Sequence, residues 1–475
     1  MGVIQFVVER PDLLSVSHAS SLVDFLTFDG RVTPARVSLQ DNLLRCERAT
    51  PESGQLRLLW PRFDHTRHVV HSTSLREQSR PYELELELAR GQLSRLRDQF
   101  YAWHGAGLQS STRLDDLIRE AHRLFRSAAL RTETPETSSA AAVWSMEMSA
   151  QAADLLCAHY TSQRIEFRRQ RSSRIPVFFG CLLDQVPANE STWLSTFNAV
   201  QLDTRWSRLE QNSGCYEWDH IDQLIDWASR NRLFIIGGPL FDMSNDCTPE
   251  WMRNWTNDPV NLQSFAADYV ETVISRYLGR VRHWEIACGA NRGGAFPLSE
   301  EQRFNLLQAI LAAAKAVDDT ILVSLRIIQP WGEYLSQTPN RLSPVQFFDA
   351  VRRSGVRIGE INLDLRVATH PQRTLLRDPL SLSQLIDHWS CFQLPINVMI
   401  SVPEIQAASE SSSEDARDNW LRQVFLMCLS KERVAGIYVS GWQPGSFTSP
   451  ALLDSDGQAG RHLQTLQNLS KEFLS

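Results

Sequence analysis

The second half of the chain repeats one pattern of hydrophobic and polar positions. From Ile175 onward, apolar runs of buried-strand type alternate with amphipathic stretches about every 35–40 residues, as βα units on a parallel sheet do. The eight predicted strands are Pro176–Leu182, Phe197–Leu202, Leu233–Gly237, Val281–Ala287, Ile321–Ile327, Arg357–Leu363, Ile396–Ser401 and Val434–Ser440. Helices are predicted at 219–230, 260–277, 301–316, 343–354, 379–389, 413–430 and 457–472.

Eight such units in about 300 residues predict an α/β fold of the closed (β/α)8 type, the TIM barrel. A doubly wound open sheet is the structural alternative. The Gly-rich phosphate turn of that fold is absent after the first predicted strand. The count of units therefore favours the barrel.

The first 90 residues have a different, β-rich pattern. Strands are predicted at Ile4–Val8, Arg36–Leu39, Leu56–Trp60 and Tyr82–Leu88. The last of these, Tyr-Glu-Leu-Glu-Leu-Glu-Leu, alternates strictly, so it predicts a strand with one face in water. Together the runs predict a small β-sandwich-like domain.

Helical periodicity replaces this alternation from Arg90 to about Gln163. Two apolar helix faces show this periodicity. The first consists of Leu93, Leu96, Phe100 and Trp103, and the second of Leu114, Leu117, Ile118, Ala121 and Leu124. A polar linker, Thr132–Ser139, is predicted to cap a further helix that begins near Ala140. The predicted organisation is a β-rich domain at 1–90, a helical linker segment at 91–170 and the barrel at 171–475.

Composition and charge exclude some classes of partner. The 475 residues are 43% apolar and carry a net charge of −7, with acidic and basic residues interspersed. That distribution gives no electrostatic footprint for nucleic acid or for an anionic membrane surface. Fourteen tryptophans are present. Indole rings stack on sugars but also fill cores, so their number alone does not choose between the two.

Targeting and cysteine signals favour a cytoplasmic location. The N-terminus lacks a basic region followed by a long apolar stretch, and no run of about eighteen apolar residues exists. The eight cysteines are scattered without CxxC spacing, which is typical of single thiols in a reducing compartment. No His/Asp/Glu cluster has metal-ligand spacing and no Gly-x-Ser-x-Gly elbow is present. Neither a metal nor a cofactor is predicted.

Seven segments of the second half form an ordered series of motifs. They are Phe197–Glu210, Gly214–Asp219, Leu233–Leu240, Pro249–Met252, Tyr277–Glu285, Gly436–Trp442 and Leu452–Gly457. The series resembles the family 10 xylanases: the first two segments resemble the family's Met-Lys-Trp and Gly-x-Tyr elements, and later ones its strand-three, strand-four and strand-eight motifs. The resemblance implies a barrel whose cleft, at the C-terminal ends of the strands, takes a β-linked, xylan-type saccharide.

The two catalytic carboxylates that the resemblance implies are absent. Retaining hydrolysis needs an acid/base and a nucleophile about 5–5.5 Å apart. Counting from Trp284, the acid/base position is Gly289, next to Cys288 in place of the family's Asn. The nucleophile position falls on Met399 or Ile400, depending on the register of strand seven. None of these side chains can form a glycosyl ester or transfer a proton, so the family mechanism is not expected.

Other acidic residues are weaker substitutes. Asp203, Asp242 and Asp364 follow or end strands two, three and six, where barrel chemistry is located. An ion pair of Asp203 with Arg205 is as good an account as ligand binding, and Asp364 suits a solvated or capping role. Glu285 lies four residues before Gly289 on strand four, and a buried structural role is favoured for it.

Four residues are candidates for contact with a sugar. Gln201 and Arg205 stand where the family has substrate-binding residues on strand two. Trp331 and Trp442 follow strands five and eight at the same end of the barrel, where either could stack on a sugar ring or pack in the core. The sequence thus supports a glycoside hydrolase-like protein that acts on or binds a saccharide. The alternative is a catalytically inert binding or scaffold protein.

Overall fold

The computed structural model describes residues 2–14, 23–28, 30–130, 134–172, 174–243, 248–367, 374–405, 407–443, 451–454 and 456–474. Over these residues the chain forms two small sheets, three long helices and a barrel of parallel strands, in that order.

Eight short strands build the first part of the molecule. They are β1 (Gly2–Val7), β2 (Asp24–Leu26), β3 (Val32–Pro34), β4 (Arg36–Gln40), β5 (Leu43–Arg48), β6 (Gly54–Pro61), β7 (Arg67–Leu75) and β8 (Tyr82–Glu83). One sheet has the order β4-β5-β1-β8 and the other β3-β2-β6-β7. Both sheets contribute to one apolar cluster, with Phe6 from the first and Phe25 from the second fully buried in it.

The predicted strand Tyr82–Leu88 is wrong beyond Glu83, because helix α1 (Leu84–Gly105) begins there. Leucine and glutamate are good helix formers, and Leu84 shares one helix face with the leucine four residues later. The intervening glutamates are not on a wet face either. Glu85 is 1% exposed and accepts a backbone N–H at 2.9 Å. The leucines and the glutamates are therefore both buried, whereas the alternation predicted that the glutamates face water. This burial on all sides explains why the strand pattern is misleading here.

Two further helices, α2 (Thr112–Leu130) and α3 (Pro135–Arg171), follow α1 and pack on it. Thr134 caps α3 through its side chain, while Thr132 and the residue after it, in the predicted linker, lie outside the described residues. The domain boundaries at 90 and 170 remain predictions, and α1 extends across the first of them.

The predicted (β/α)8 barrel is present. Its strands are β9 (Phe178–Leu183), β10 (Ala199–Leu202), β11 (Phe234–Gly237), β12 (Phe241–Asp242), β13 (His283–Cys288), β14 (Leu322–Ile327), β15 (Glu360–Asp364), β16 (Ile396–Ile400) and β17 (Val434–Val439). All pairs are parallel, and pairing of β9 with β17 and of β11 with β13 closes the sheet. The short β12 continues strand three and pairs only with β13 among the described strands.

Helices surround the barrel close to the predicted positions. They are α4 (Glu190–Leu194), α5 (Trp206–Leu209), α6 (Asp219–Arg230), α7 (Pro259–Arg276), α8 (Glu300–Val317), α9 (Pro344–Arg353), α10 (Pro379–Ser390), α11 (Glu410–Ser430) and α12 (Arg461–Phe473). Ser299 and Ser343 form capping boxes before α8 and α9, which fixes where these helices begin. Within the described ranges, no helix is both long and apolar enough to pass through a membrane.

The ring of Tyr438 fills part of the barrel interior, and a glycine on the neighbouring strand leaves room for it. Tyr438 is 1% exposed and clusters with Ala199, Ile236 and Met399. A Cβ at Gly180 would come within 2.6 Å of the Tyr438 ring. Only glycine leaves room for the ring beside this strand, so the barrel centre is a packed core.

The N-terminal part docks on loops that follow β14 and β15. The backbone N–H of Val69 in β7 donates to the carbonyl of Leu376 at 3.0 Å. Arg95 in α1 pairs with Asp378, and both side chains are at most 10% exposed. These loops lie at the C-terminal ends of barrel strands, so the N-terminal part lies against the end where a barrel cleft forms.

Candidate active site at the C-terminal ends of the barrel strands

Gly289, the residue predicted for the acid/base position, has a left-handed conformation. Gly289 directly follows β13, has φ of +69° and donates its N–H to the carbonyl of Arg326 at 3.0 Å. Residues with a Cβ rarely adopt this φ. The backbone at this position therefore suits glycine, and a glutamate placed there would be strained.

The register of β16 distinguishes the two residues at the nucleophile position. Met399 belongs to the cluster inside the barrel and pairs in register with Asp364 and Tyr438. Ile400 lies in the larger core that the strands form with the surrounding helices. The inward-facing residue is therefore Met399, and it sits among apolar side chains with 1% exposure.

Glu285 is the centre of a buried polar network inside the barrel. Its carboxylate lies 2.8 Å from the Arg326 guanidinium and accepts hydrogen bonds from Asn362 at 2.5 Å and Gln201 at 3.3 Å. Burial raises the pKa of Glu285, and the charge of Arg326 opposes this shift. A fully buried carboxylate with these partners is a structural element and is not accessible to a substrate.

The network continues toward the N-terminal ends of the strands. Asn397 donates to Asn362 at 3.0 Å and to Glu360 at 3.1 Å, and Glu360 lies 3.3 Å from His283. Hydrogen bonds thus join polar side chains of β13, β15 and β16 within the barrel. Gln201, a predicted substrate contact, belongs to this network and is 1% exposed.

Asp203 forms ion pairs immediately after β10. Arg205 donates to both of its oxygens at 2.7 and 2.8 Å, and Arg208 approaches to 3.0 Å. Arg208 also bonds Asp184 at 2.9 Å. Asp203 is 1% exposed, so the geometry favours the ion-pair role for this residue over contact with a ligand.

Asp364 is paired with Arg366, two residues further along the chain. Nε of Arg366 lies 2.9 Å from Oδ1 of Asp364, and both side chains are less than a fifth exposed. Burial would raise the pKa of Asp364, but the charge and hydrogen bonds of Arg366 outweigh it and the pKa is lowered. An acid held ionised in this way does not donate a proton near neutral pH.

Asp242 lies near this pair at the same end of the barrel. It is half-buried and is in register with Cys288 on β13. Burial lowers the pKa of Arg366, but the charge and hydrogen bonds of Asp364, with a smaller contribution from Asp242, raise it. Burial raises the pKa of the Cys288 thiol, so this cysteine is neutral and unsuited to act as a nucleophile. The structure thus brings Asp242 and Asp364 to one cluster of charged side chains that includes Arg326 and Arg366.

The two tryptophan candidates have different surroundings. Trp442 is 2% exposed and packs edge-on against Phe197, so its ring is part of the core. Trp331 is half-buried, and the guanidinium of Arg377 lies 4.6 Å from its ring centre. Trp331 also lines a large cavity beside the barrel, so it is the better placed of the two to meet a ligand.

Sequence reasoning missed the arginines that hold the acidic residues. Arg326 stands alone in an apolar run, and a buried arginine requires a partner, so its position was a usable signal. Arg366 follows Asp364 by two residues, which is close enough for a local pair. No group of three or more His, Cys, Asp or Glu residues that could hold a metal ion occurs in the described part of the chain.

Comparison with known proteins agrees with the barrel. Residues 179–292 match the profile of Glycosyl hydrolase family 10. The chain is 28% identical over 165 residues to endo-1,4-beta-xylanase 3 of Hypocrea jecorina, covering 34% of this chain and 46% of that protein. It is 23% identical over 253 residues to endo-1,4-beta-xylanase B of Humicola insolens, covering 51% and 68%. The chain thus spans about half the length of the first of these relatives.

Among solved structures, xylanase 10B from Thermotoga maritima matches with a TM-score of 0.49 and 15% identity, over 64% of this chain and 98% of that one. The profile match lies within the barrel, where the structure closes eight parallel strands. The chain therefore carries a (β/α)8 barrel, part of which resembles Glycosyl hydrolase family 10 in sequence.

Proposed function

We propose that this barrel binds a β-linked, xylan-type oligosaccharide at the C-terminal ends of its strands and does not hydrolyse it by the retaining mechanism. One observation carries the second half of the proposal: arginines hold three carboxylates that the barrel places at or just below this end. Asp203 is held by Arg205, Asp364 by Arg366 and Glu285 by Arg326. The ligand class rests on the xylanase relatives and on the barrel type.

The chemistry of retaining hydrolysis supports the second half of this proposal. That reaction needs one carboxyl that is protonated and one carboxylate that is free to attack the sugar. The arginines occupy oxygens of these carboxylates, which opposes attack on a sugar. Arg366 also lowers the pKa of Asp364, which opposes a role as proton donor. Gly289 and Met399 supply no carboxyl at the two family positions.

A cytoplasmic location is part of the proposal. Seven cysteines lie in the described part of the chain, and all seven are free thiols. Cys247, the eighth, lies outside the described residues. Five of the seven are buried. Free thiols in this number are usual for proteins of a reducing compartment.

The test combines turnover and binding on the purified full chain. Wild-type protein is incubated with an aryl β-xyloside and with xylotetraose, and its melting temperature is measured with and without xylotetraose. We expect no turnover, together with a rise in melting temperature that Arg205→Gln diminishes. Arg208 remains to pair with Asp203 in this variant.

Two results would reject the proposal. Turnover that Asp364→Asn abolishes, while Asp116→Asn on the exposed face of α2 preserves it, would establish a rearranged catalytic pair. If the melting temperature does not change with xylotetraose at any concentration tested, the proposed binding is rejected and a scaffold role remains.

A further inference from the structure

A cavity of about 740 Å³ lies between the N-terminal part and the side of the barrel formed by α9, α10 and the loop after β14. Its walls come from β6, β7 and α1 on one side and from the loop after β14, α9 and α10 on the other. This volume falls within the range of small-molecule sites, which occur preferentially at domain interfaces. The cavity is separate from Asp203, Asp242 and Asp364, none of which lines it.

The arginines that line the cavity are already paired with carboxylates of the protein. Arg57 makes two hydrogen bonds of 2.7 Å to Asp24. Arg95 is paired with Asp378, and Arg377 donates to Glu333 at 2.7 Å. Each guanidinium therefore faces the cavity as one half of an ion pair. A site built in this way does not favour an anion, because no unpaired positive charge is offered to it.

Neutral hydrogen-bonding groups make up much of the remaining wall. Amide side chains are contributed by Gln55 and Gln384, and a hydroxyl by Ser94. These groups both donate and accept hydrogen bonds, as the hydroxyls of a sugar do. The imidazole of His71 adds a further pair of polar atoms, and burial lowers its pKa to about 3, so it is neutral near pH 7.

An aromatic ring completes the wall. Trp331 is half-buried, and Arg377 packs over one face of its ring at 4.6 Å. Indole faces pack against the apolar faces of sugar rings, so the face that Arg377 leaves uncovered suits a sugar.

We infer that this cavity is a second ligand site, distinct from the barrel mouth, and that it takes a neutral oligosaccharide of two or three sugar units. The ligand would contact α1 and β7 on one side and α10 on the other. Its binding would therefore couple the N-terminal part to the barrel.

Isothermal titration calorimetry on the full chain tests this site with xylotriose, cellotriose and maltotriose as neutral probes and trigalacturonate as the charged one. Ser94→Trp places an indole in the cavity, and Gln55→Ala removes an amide without adding bulk. The matched control is Ser162→Trp, at an exposed position on α3 outside the cavity. We expect at least one neutral trisaccharide to bind. Ser94→Trp and Gln55→Ala should each raise its Kd about tenfold or more, and Ser162→Trp less than about twofold.

The inference is overturned if no neutral trisaccharide binds, if trigalacturonate binds in their place, or if Ser94→Trp and Gln55→Ala leave the Kd unchanged. Arg205→Gln separates this site from the barrel mouth. A neutral trisaccharide whose binding responds to Arg205→Gln and not to the cavity variants supports only the proposed function. The opposite pattern supports only the cavity site.

Discussion

Arg326 and Glu285 meet inside the barrel on neighbouring strands, and both are at most 4% exposed. Removing one partner of a buried ion pair leaves an uncompensated charge, which costs about 3–5 kcal/mol. We therefore expect Arg326→Met to lower the free energy of unfolding by about this amount, measured by urea denaturation. Arg353→Met is the control, because Arg353 is 79% exposed in its pair with Asp349. It should change stability by less than about 1 kcal/mol. Equal effects of the two substitutions would contradict a structural role for the buried pair.

The assignment of the acid/base position to Gly289 stays a prediction, made by counting from Trp284. The sequence did not predict the buried pair of Glu285 with Arg326, because these residues lie on different strands. Glu285 and Arg326 are 41 positions apart, and Glu285 and Asn362 are 77 apart. Spacing along the chain carries no information about such contacts. The local pair of Asp203 with Arg205 could be predicted from the sequence, because both residues lie at the end of the same strand.

At the scale of elements, the close approach of α1 to β7 depends on Gly91. A Cβ at this position would lie 2.0 Å from the backbone oxygen of His71. Alanine normally stabilises a helix relative to glycine by about 0.5–1 kcal/mol. At Gly91 the clash reverses the sign, and we expect Gly91→Ala to destabilise the protein by about 3 kcal/mol or more, measured by thermal and urea unfolding.

Gly105 in the same helix is the matched control. A Cβ there would have no atom within 4 Å, so Gly105→Ala should be neutral or stabilising by up to about 1 kcal/mol. If Gly91→Ala were as well tolerated as Gly105→Ala, the helix would not be held against β7 as described.

The helices and strands were largely predictable wherever the hydrophobic residues follow a single period along the chain. The barrel strands are buried on both faces and the helices between them are amphipathic, so each gives its own periodic signal. The exception is α1, whose first turns are buried on both sides. There the leucines pack and the glutamates form hydrogen bonds, and both are buried. Their two-residue alternation therefore does not indicate a strand.

At the scale of the whole molecule, the junction between the N-terminal part and the barrel depends on charged side chains that the sequence did not connect. Arg95 and Asp378 are 283 residues apart, and Arg57 donates to the backbone of Trp331 at 3.4 Å across the same junction. These contacts place the N-terminal part beside the loops after β14 and β15. They also form the cavity, which no local motif predicts, because its walls come from both parts of the chain.

The Arg95–Asp378 pair makes the stability of the junction depend on pH. Burial would raise the pKa of Asp378, but the charge of Arg95 and the hydrogen bonds from Arg95 and Ser381 lower it well below its usual range. A carboxyl whose pKa is lower in the folded state stabilises the fold above its unfolded pKa of about 3.9. That stabilisation is lost as the pH falls from there toward the folded pKa.

Asp378→Asn isolates this contribution, because asparagine can still cap α10 while it removes the charge. The variant should be less stable than wild type by about 3–5 kcal/mol at pH 7, and the difference should shrink as the pH falls below about 4. Calorimetric or urea unfolding of the full chain at a series of pH values measures it. Asp116→Asn, which breaks an exposed pair on α2, should track the wild type throughout. A stability gap for Asp378→Asn that stays constant between pH 7 and pH 3 would show that the charge of Asp378 does not hold the two parts together.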